Sequence, residues 1–251
     1  MDADLARSID AVDGRDLRLQ WDSGQVFGCV EPAAVARGWR AQRLGIYTVV
    51  HSGPELLHFN NHLTEGGIAC AMSHQKTLRA VASHPTADWA LILEDDIADV
   101  VPRFDEVLAR VLRQLPEDWD AVLLGYHDSH GRVAGGVGGG VPDVPVRPTL
   151  WHDYGLFAYV VRKSAAALLL RHAFPVNGQV DKAVTGWLAR ERGRTFKVDP
   201  QSMLLISPKS EESQDSDVQT LGSIDQLVEQ HGDVAAYNER MIAERALFEG
   251  Y

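Results

Sequence analysis

The stretch that decides the fold is Leu91-Ile-Leu-Glu-Asp-Asp96, in which an apolar run ends in three adjacent carboxylates. The run begins at Trp89, and a short continuous apolar segment predicts a strand that is buried on both faces of a sheet. In α/β folds, ligands bind beyond the carboxyl ends of the strands, which is where Glu94, Asp95 and Asp96 would lie. Packed carboxylates repel one another, so they favour a site for a hard divalent cation. The alternative is a solvated acidic turn before the next helix.

Helix-like and strand-like segments alternate around this run. Thr64 can cap a helix that extends to about Ser83, and another helix is expected after Pro102. Further strands are predicted at residues 120–125, 156–161 and 203–207, and further helices at 163–172 and 180–192. Alternation of this kind predicts an α/β fold with a mostly parallel sheet flanked by helices.

The composition is that of a globular chain. Of 251 residues, 45% are hydrophobic and 24% are charged, and the formal net charge is −11. An acidic balance argues against a general binder of nucleic acid or anionic membranes. No signal-peptide pattern and no apolar run of ~18 residues that could span a bilayer is present, so a cytoplasmic protein is expected. Neither Cys29 nor Cys70 lies in a spacing typical of structural zinc.

The sequence divides into three segments. Residues 1–207 are predicted to form the main folded domain, residues 208–222 a polar linker and residues 223–251 a C-terminal helical segment, which begins with a capping-box pattern at Ser223 and Gln226. We expect this last segment to pack on the core or to support self-association. The Gly-rich stretch 130–148 is either a mobile loop near a site or a disordered surface insertion.

Several common catalytic motifs are missing from the sequence. It holds no G-x-x-x-x-G-K-[ST], G-x-G-x-x-G, G-x-S-x-G or H-E-x-x-H pattern. These absences argue against P-loop ATPases, dinucleotide-dependent oxidoreductases, α/β hydrolases and zincins, respectively.

Two segments carry a resemblance to a known family. The sequences L-T-E-G-G-I-A-C-A-M-S-H (63–74) and W-A-L-I-L-E-D-D-I (89–97) resemble glycosyltransferase family 25, which includes bacterial lipooligosaccharide and collagen galactosyltransferases. Weaker similarities follow in the family's order at residues 11–15, 118–125, 155–161, 175–181 and 216–218. The resemblance therefore spans about residues 11 to 218.

The resemblance implies that residues 1–207 form the catalytic domain of a GT-A-type transferase with a Rossmann-type sheet. Such an enzyme uses a nucleotide sugar, with UDP as the favoured nucleotide and Mn²⁺ or Mg²⁺ as the metal. Glu94, Asp95 and Asp96 match the acidic signature that holds the metal on the donor diphosphate. The remaining residues implied by the resemblance are Ser73, His74, Gly155 and Tyr159 in the donor pocket, and Asp217 and His152 as a further metal ligand or sugar contact. For His74, a buried, hydrogen-bonded role that positions the acidic loop is the alternative to direct donor contact.

The family inverts the anomeric centre, so a base must accept the proton of the acceptor hydroxyl. Asp181 is the candidate base, and its alternative role is that of a helix N-cap. The acceptor is expected to be a hydroxyl of a glycan or of another molecule, and the sugar is expected to be galactose or glucose.

One departure from the family supports other functions. Family members open with a strand that reads roughly V-I-N-L-x-R-S, and the ten residues before Ala11 hold no such strand. Either the chain starts upstream, or another segment fills the slot, or the donor pocket is altered. The alternatives to a transferase are a scaffold that has lost catalysis and a metal-dependent phosphoester hydrolase.

Overall fold

A computed structural model describes residues 8–14, 17, 28–44, 48–52, 55–59, 63–127, 144–150, 153–207 and 221–223. Predictions that fall on residues 130–143, 208–220 and 224–251, and on His152 and Asp217, lie outside the described residues. The helices are α1 (Pro32–Leu44), α2 (Glu65–Ser83), α3 (Phe104–Gln114), α4 (Lys163–His172) and α5 (Val180–Trp187). The strands are β1 (Thr48–Ser52), β2 (Glu55–Phe59), β3 (Trp89–Leu93), β4 (Asp99–Val100), β5 (Ala121–His127), β6 (Val146–Pro148), β7 (Tyr154–Arg162), β8 (Thr195–Val198), β9 (Leu205–Ile206) and β10 (Leu221–Ser223).

The centre of the fold is a five-stranded sheet in the order β3-β7-β5-β8-β6. Strand β7 runs antiparallel to both β3 and β5, β8 is parallel to β5, and β6 is antiparallel to β8. The α/β class is confirmed, but the prediction of a mostly parallel sheet is wrong. The reason is that β7 returns between β3 and β5 in the opposite direction, so the sheet is mixed.

Burial is greatest on β5 and β7 and much smaller on β3. Residues 121–126 and 156–161 are all buried. In β3 only Ile92 is buried, while Leu93 is 47% exposed. The prediction that β3 is buried on both faces is therefore wrong, because among the described strands it pairs with β7 alone.

The helices that face the candidate site pack on one another and on the sheet. The predicted start of α2 is confirmed, since the Thr64 hydroxyl accepts a hydrogen bond of 3.0 Å from the Gly67 backbone N–H. Helix α2 packs against α4 and contacts α5 and β3, while α4 and α5 contact β7. The helix predicted to extend to residue 192 ends as α5 at Trp187 and continues as a π-helical turn at Leu188–Arg192.

Several elements were not predicted from the sequence. Helix α1 and strands β1 and β2 lie in a region without a clear period, and β10 pairs with β2. The linker prediction is wrong at residues 221–222, which belong to β10, and the loop prediction is wrong at residues 146–148, which form β6. No helix among the described residues has the length and apolar character needed to cross a membrane.

A close approach at the end of β5 requires glycine. A Cβ atom at Gly125 would lie 2.3 Å from Cε2 of Phe157 and 2.6 Å from the backbone oxygen of Leu205. Neither contact can relax cheaply, because one partner is a buried ring and the other is backbone. Gly125 thus lets β9 approach the sheet beside the acidic loop.

Candidate functional site

The acidic loop is fixed by backbone hydrogen bonds on both sides. Glu94 directly follows β3, and its N–H donates to the Phe157 carbonyl at 2.9 Å. Further along, Ala98 N–H donates to the Ile206 carbonyl at 2.8 Å, and Val101 N–H donates to the Leu204 carbonyl at 2.8 Å. The three acids therefore leave the carboxyl end of β3 in a turn that β7 and β9 hold in place.

Glu94 is held by a buried chain of side chains. His74 Nε2 lies 3.0 Å from Glu94 Oε1, and His74 Nδ1 lies 3.2 Å from the Tyr159 hydroxyl. His74 is 5% exposed and Tyr159 only 1%. This geometry supports the positioning role for His74, because the imidazole joins the core of β7 to the first acid of the loop.

Electrostatics favour a charged imidazole in this chain. Burial alone would lower the pKa of His74, but the pKa is raised because the carboxylate of Glu94 and the hydrogen bonds of the ring to Cys70 and Glu94 favour its charged form. Burial raises the pKa values of the Tyr159 hydroxyl and the Cys70 thiol, so both keep their protons. An imidazolium that donates to Glu94 and to Tyr159 is consistent with both distances.

Asp96 points to a different partner. The Ser207 hydroxyl donates to Asp96 Oδ2 at 2.6 Å. Partial burial raises the pKa of Asp96, and the negative charges of Glu94 and Asp95 add to this rise, while the bond from Ser207 opposes it. The charges of Glu94 and Asp95 thus act on Asp96, whose hydrogen-bond partner differs from that of Glu94.

The carboxylates fit a hard divalent cation by their chemistry and charge. All three are oxygen donors at the end of one strand, and the charges of Glu94 and Asp95 add to the rise that burial causes in the pKa of Asp96. Their ligand atoms, however, do not all lie within 4.8 Å of one another. Among the described residues, the one set of three whose ligand atoms all lie within 4.8 Å of one another is Cys70, His74 and Glu94.

Asp181 lies in the first turn of α5, where it holds the start of β7. Its Oδ2 accepts a hydrogen bond of 3.0 Å from the Gly155 N–H. The N-cap of α5 is Gln179, so the alternative of Asp181 as an N-cap is wrong. Helix α2 contacts both α5, which holds Asp181, and β3, which leads into the acidic loop.

The backbone conformation at residue 155 explains why this residue is a glycine. Its φ angle is +78°, and a Cβ atom there would lie 2.7 Å from Cδ2 of His127. A side chain would therefore be strained by both the backbone and the neighbouring ring. Gly155 brings the N–H of β7 to the Asp181 carboxylate, and its predicted contact with the donor stays a prediction.

Ser73 faces the N-terminal segment. Its hydroxyl accepts a hydrogen bond of 2.9 Å from the Val12 N–H and donates to the Ala69 carbonyl at 2.9 Å. Lys76 Nζ also donates to the Asp10 carbonyl at 2.9 Å, so the segment 10–14 lies along α2. The donor contact predicted for Ser73 stays a prediction beside this anchoring role.

Two residues of the site were not predicted from the sequence. Cys70 lies four residues before His74 on α2, and this helical spacing was the signal that could have identified it. Ser207 had no such signal, because it reaches Asp96 only through the pairing of β4 with β9.

Comparison with known proteins agrees with the resemblance. Residues 47–129 match the family model described as glycosyltransferase family 25 (LPS biosynthesis protein). The matched segment contains β3, the three acids and all of α2. Among curated proteins, none matches the chain.

Proposed function

From the match of residues 47–129 to glycosyltransferase family 25, which supports transferase activity, we propose that the protein moves a hexose from a UDP donor to a hydroxyl group. Galactose and glucose are the favoured sugars, and a glycan is the favoured acceptor. The proposal includes a divalent cation, Mn²⁺ or Mg²⁺, and inversion at the anomeric carbon.

The observation that carries this proposal is the position and support of the acidic loop. Glu94, Asp95 and Asp96 follow a strand inside the matched segment, and a buried His74–Tyr159 pair orients the first of them. A protein that no longer used these acids would have no physical need to hold charge in this place. The arrangement therefore supports a working site over a scaffold that has lost catalysis.

The acidic loop has a defined part in donor binding. Glu94, Asp95 and Asp96 would hold the cation, with His74 fixing one oxygen of Glu94 and Ser207 fixing one oxygen of Asp96. When bound, the cation neutralises the charge of the UDP diphosphate and favours its departure. These hydrogen bonds keep the carboxylates from turning away when no donor is present.

Asp181 is the proposed base. As the acceptor oxygen forms a bond to the anomeric carbon, the bond from that carbon to the UDP oxygen breaks. The hydroxyl proton passes to the carboxylate of Asp181, and the electron pair of the broken bond leaves with UDP. The bond from Gly155 to Oδ2 fixes the orientation of this carboxylate relative to β7.

Proton NMR of the anomeric signals tests the proposal. The full chain is incubated with UDP-galactose or UDP-glucose, Mn²⁺ and a panel of oligosaccharide acceptors. We expect donor consumption that depends on an acceptor, and a β-linked product. An α-linked product would contradict inversion, and release of free sugar or sugar phosphate without an acceptor would favour the phosphoester hydrolase.

A further inference from the structure

Three side chains of metal-ligating types meet at the start of the acidic loop. We propose that Cys70, His74 and Glu94 form a site for a thiophilic divalent cation of the Zn²⁺ class, which shares Glu94 with the oxygen-only site of the loop. Their ligand atoms, a thiol sulfur, an imidazole nitrogen and a carboxylate oxygen, all lie within 4.8 Å of one another. Sulfur and imidazole ligands select Zn²⁺ or Co²⁺ over Mg²⁺ and Mn²⁺.

The scaffold holds two of these ligands in a fixed relation. Cys70 and His74 are four residues apart on α2, so their side chains lie on one face of the helix. Ligands of a tetrahedral zinc ion lie about 3.4–3.8 Å apart. His74 Nε2 and Glu94 Oε1 lie 3.0 Å apart and would separate slightly, while the pairs that include the Cys70 sulfur lie within 4.8 Å and need to approach by about 1 Å at most. Shifts of this size are within the range of a change in side-chain rotamer. The Cys70 residue as a whole is half-buried.

The surroundings of His74 resemble those of a metal-binding histidine. Such a residue usually donates its second ring N–H to a fixed partner, which sets the orientation of the ring. Here Nδ1 contacts the buried Tyr159 hydroxyl at 3.2 Å, and Nε2 faces Glu94. The carboxylate of Asp181, which acts electrostatically on Cys70, adds negative charge near the group. Three protein ligands leave a fourth position for water or another oxygen donor.

Binding requires an exchange of protons. The ion takes the thiolate of Cys70 and the Nε2 lone pair of His74, and the protons released from these atoms pass to solvent. Glu94 Oε1 exchanges its hydrogen bond with His74 for a bond to the ion. One oxygen of Glu94 thus binds this ion, and the other remains for the cation of the acidic loop.

Titration of the full-length, metal-free chain with Co²⁺ tests the site. We expect one equivalent to produce a sulfur-to-cobalt charge-transfer band in the near ultraviolet, which Zn²⁺ abolishes and Mn²⁺ and Mg²⁺ do not. Cys70→Ala should lose the band, and Cys29→Ala, its matched control, should keep it. Cys29 is a suitable control because it is buried, and burial raises the pKa of its thiol to about 12.

Glu94→Gln provides a second test of the site, which does not depend on removing a cysteine. This isosteric change at a partly exposed residue should weaken Zn²⁺ binding, measured by calorimetry, at least tenfold, and Tyr159→Phe should weaken it about tenfold. No band in the wild-type chain, a band that survives Cys70→Ala, or unchanged affinity in Glu94→Gln would overturn the site. No nucleotide is involved in these measurements, so their failure is distinguishable from failure of the proposed transferase.

Discussion

Replacing Asp96 with alanine is expected to lower hexose transfer at least about a hundredfold, because a carboxylate that holds the donor cation is lost. The fold should persist, since Asp96 lies on an exposed turn and loses only its bond from Ser207. Loss of one such bond costs about 1 kcal/mol, which lowers the melting temperature by a few degrees. Initial rates with UDP-galactose or UDP-glucose and thermal melts measure both effects.

Ser207→Ala is the matched control for this variant. It removes the same hydrogen bond but keeps the carboxylate, so transfer should remain within a few-fold of the wild-type rate. Asp99→Ala removes an equal charge three residues further along and should also stay active. If Asp96→Ala and Ser207→Ala lose activity to the same small extent, Asp96 contributes only through the hydrogen bond and the metal assignment is wrong.

Asp181→Asn is expected to reduce the rate of transfer by about 10²–10⁴ while UDP binding stays unchanged. The amide oxygen can still accept the bond from Gly155, so α5 should keep its place on β7, while the local bond from the exposed Lys182 N–H to Oδ1 is lost. What the amide cannot do is accept the proton of the acceptor hydroxyl. Single-turnover rates with saturating donor, together with calorimetry of UDP binding, separate these two effects.

Asp199→Asn serves as the control for the loss of a carboxylate elsewhere. Asp199 caps the short helical turn at Pro200–Ser202 by accepting a hydrogen bond of 3.1 Å from Gln201 N–H. Its replacement should affect melting but leave transfer near the wild-type rate. If Asp181→Asn lowers the melting temperature while transfer stays normal, Asp181 is a positioning residue for Gly155 and another group is the base.

The elements with a clear sequence period were predicted well. Helix α2 begins after Thr64 as its capping pattern indicated, β3 coincides with the apolar run that predicted it, and β5 and β7 overlap theirs and extend beyond them. The order and direction of the strands in the sheet could not be predicted in the same way. Strand direction depends on the path of the connections between strands, and β7 returns antiparallel although its apolar run resembles those of β3 and β5.

The candidate site was also predicted only in part. Sequence proximity placed Glu94, Asp95 and Asp96 together, but it could not show that Glu94 turns to His74 while Asp96 turns to Ser207. Those choices depend on contacts between residues 20 and 111 positions apart. The three acids could therefore be predicted from the sequence, but their hydrogen-bond partners could not.

The bond between Asp181 and Gly155 was missed for the same reason. These residues are 26 positions apart, and they meet because α5 packs against the start of β7. The segment that contains Asp181 was predicted to be helical, and only the packing of that helix on the sheet reveals where the carboxylate is held.

The most direct test of the central claim compares thermal melts of the full chain alone, with UDP, with Mn²⁺ and with both. A ligand at about 100 times its dissociation constant stabilises the folded state by roughly 2.7 kcal/mol. For a chain of this length that corresponds to a rise of about 5–10 °C. We predict that the full rise requires UDP and Mn²⁺ together, because the cation joins the acidic loop to the diphosphate. A melting temperature unchanged by the combination would contradict a metal-bridged nucleotide site at Glu94, Asp95 and Asp96.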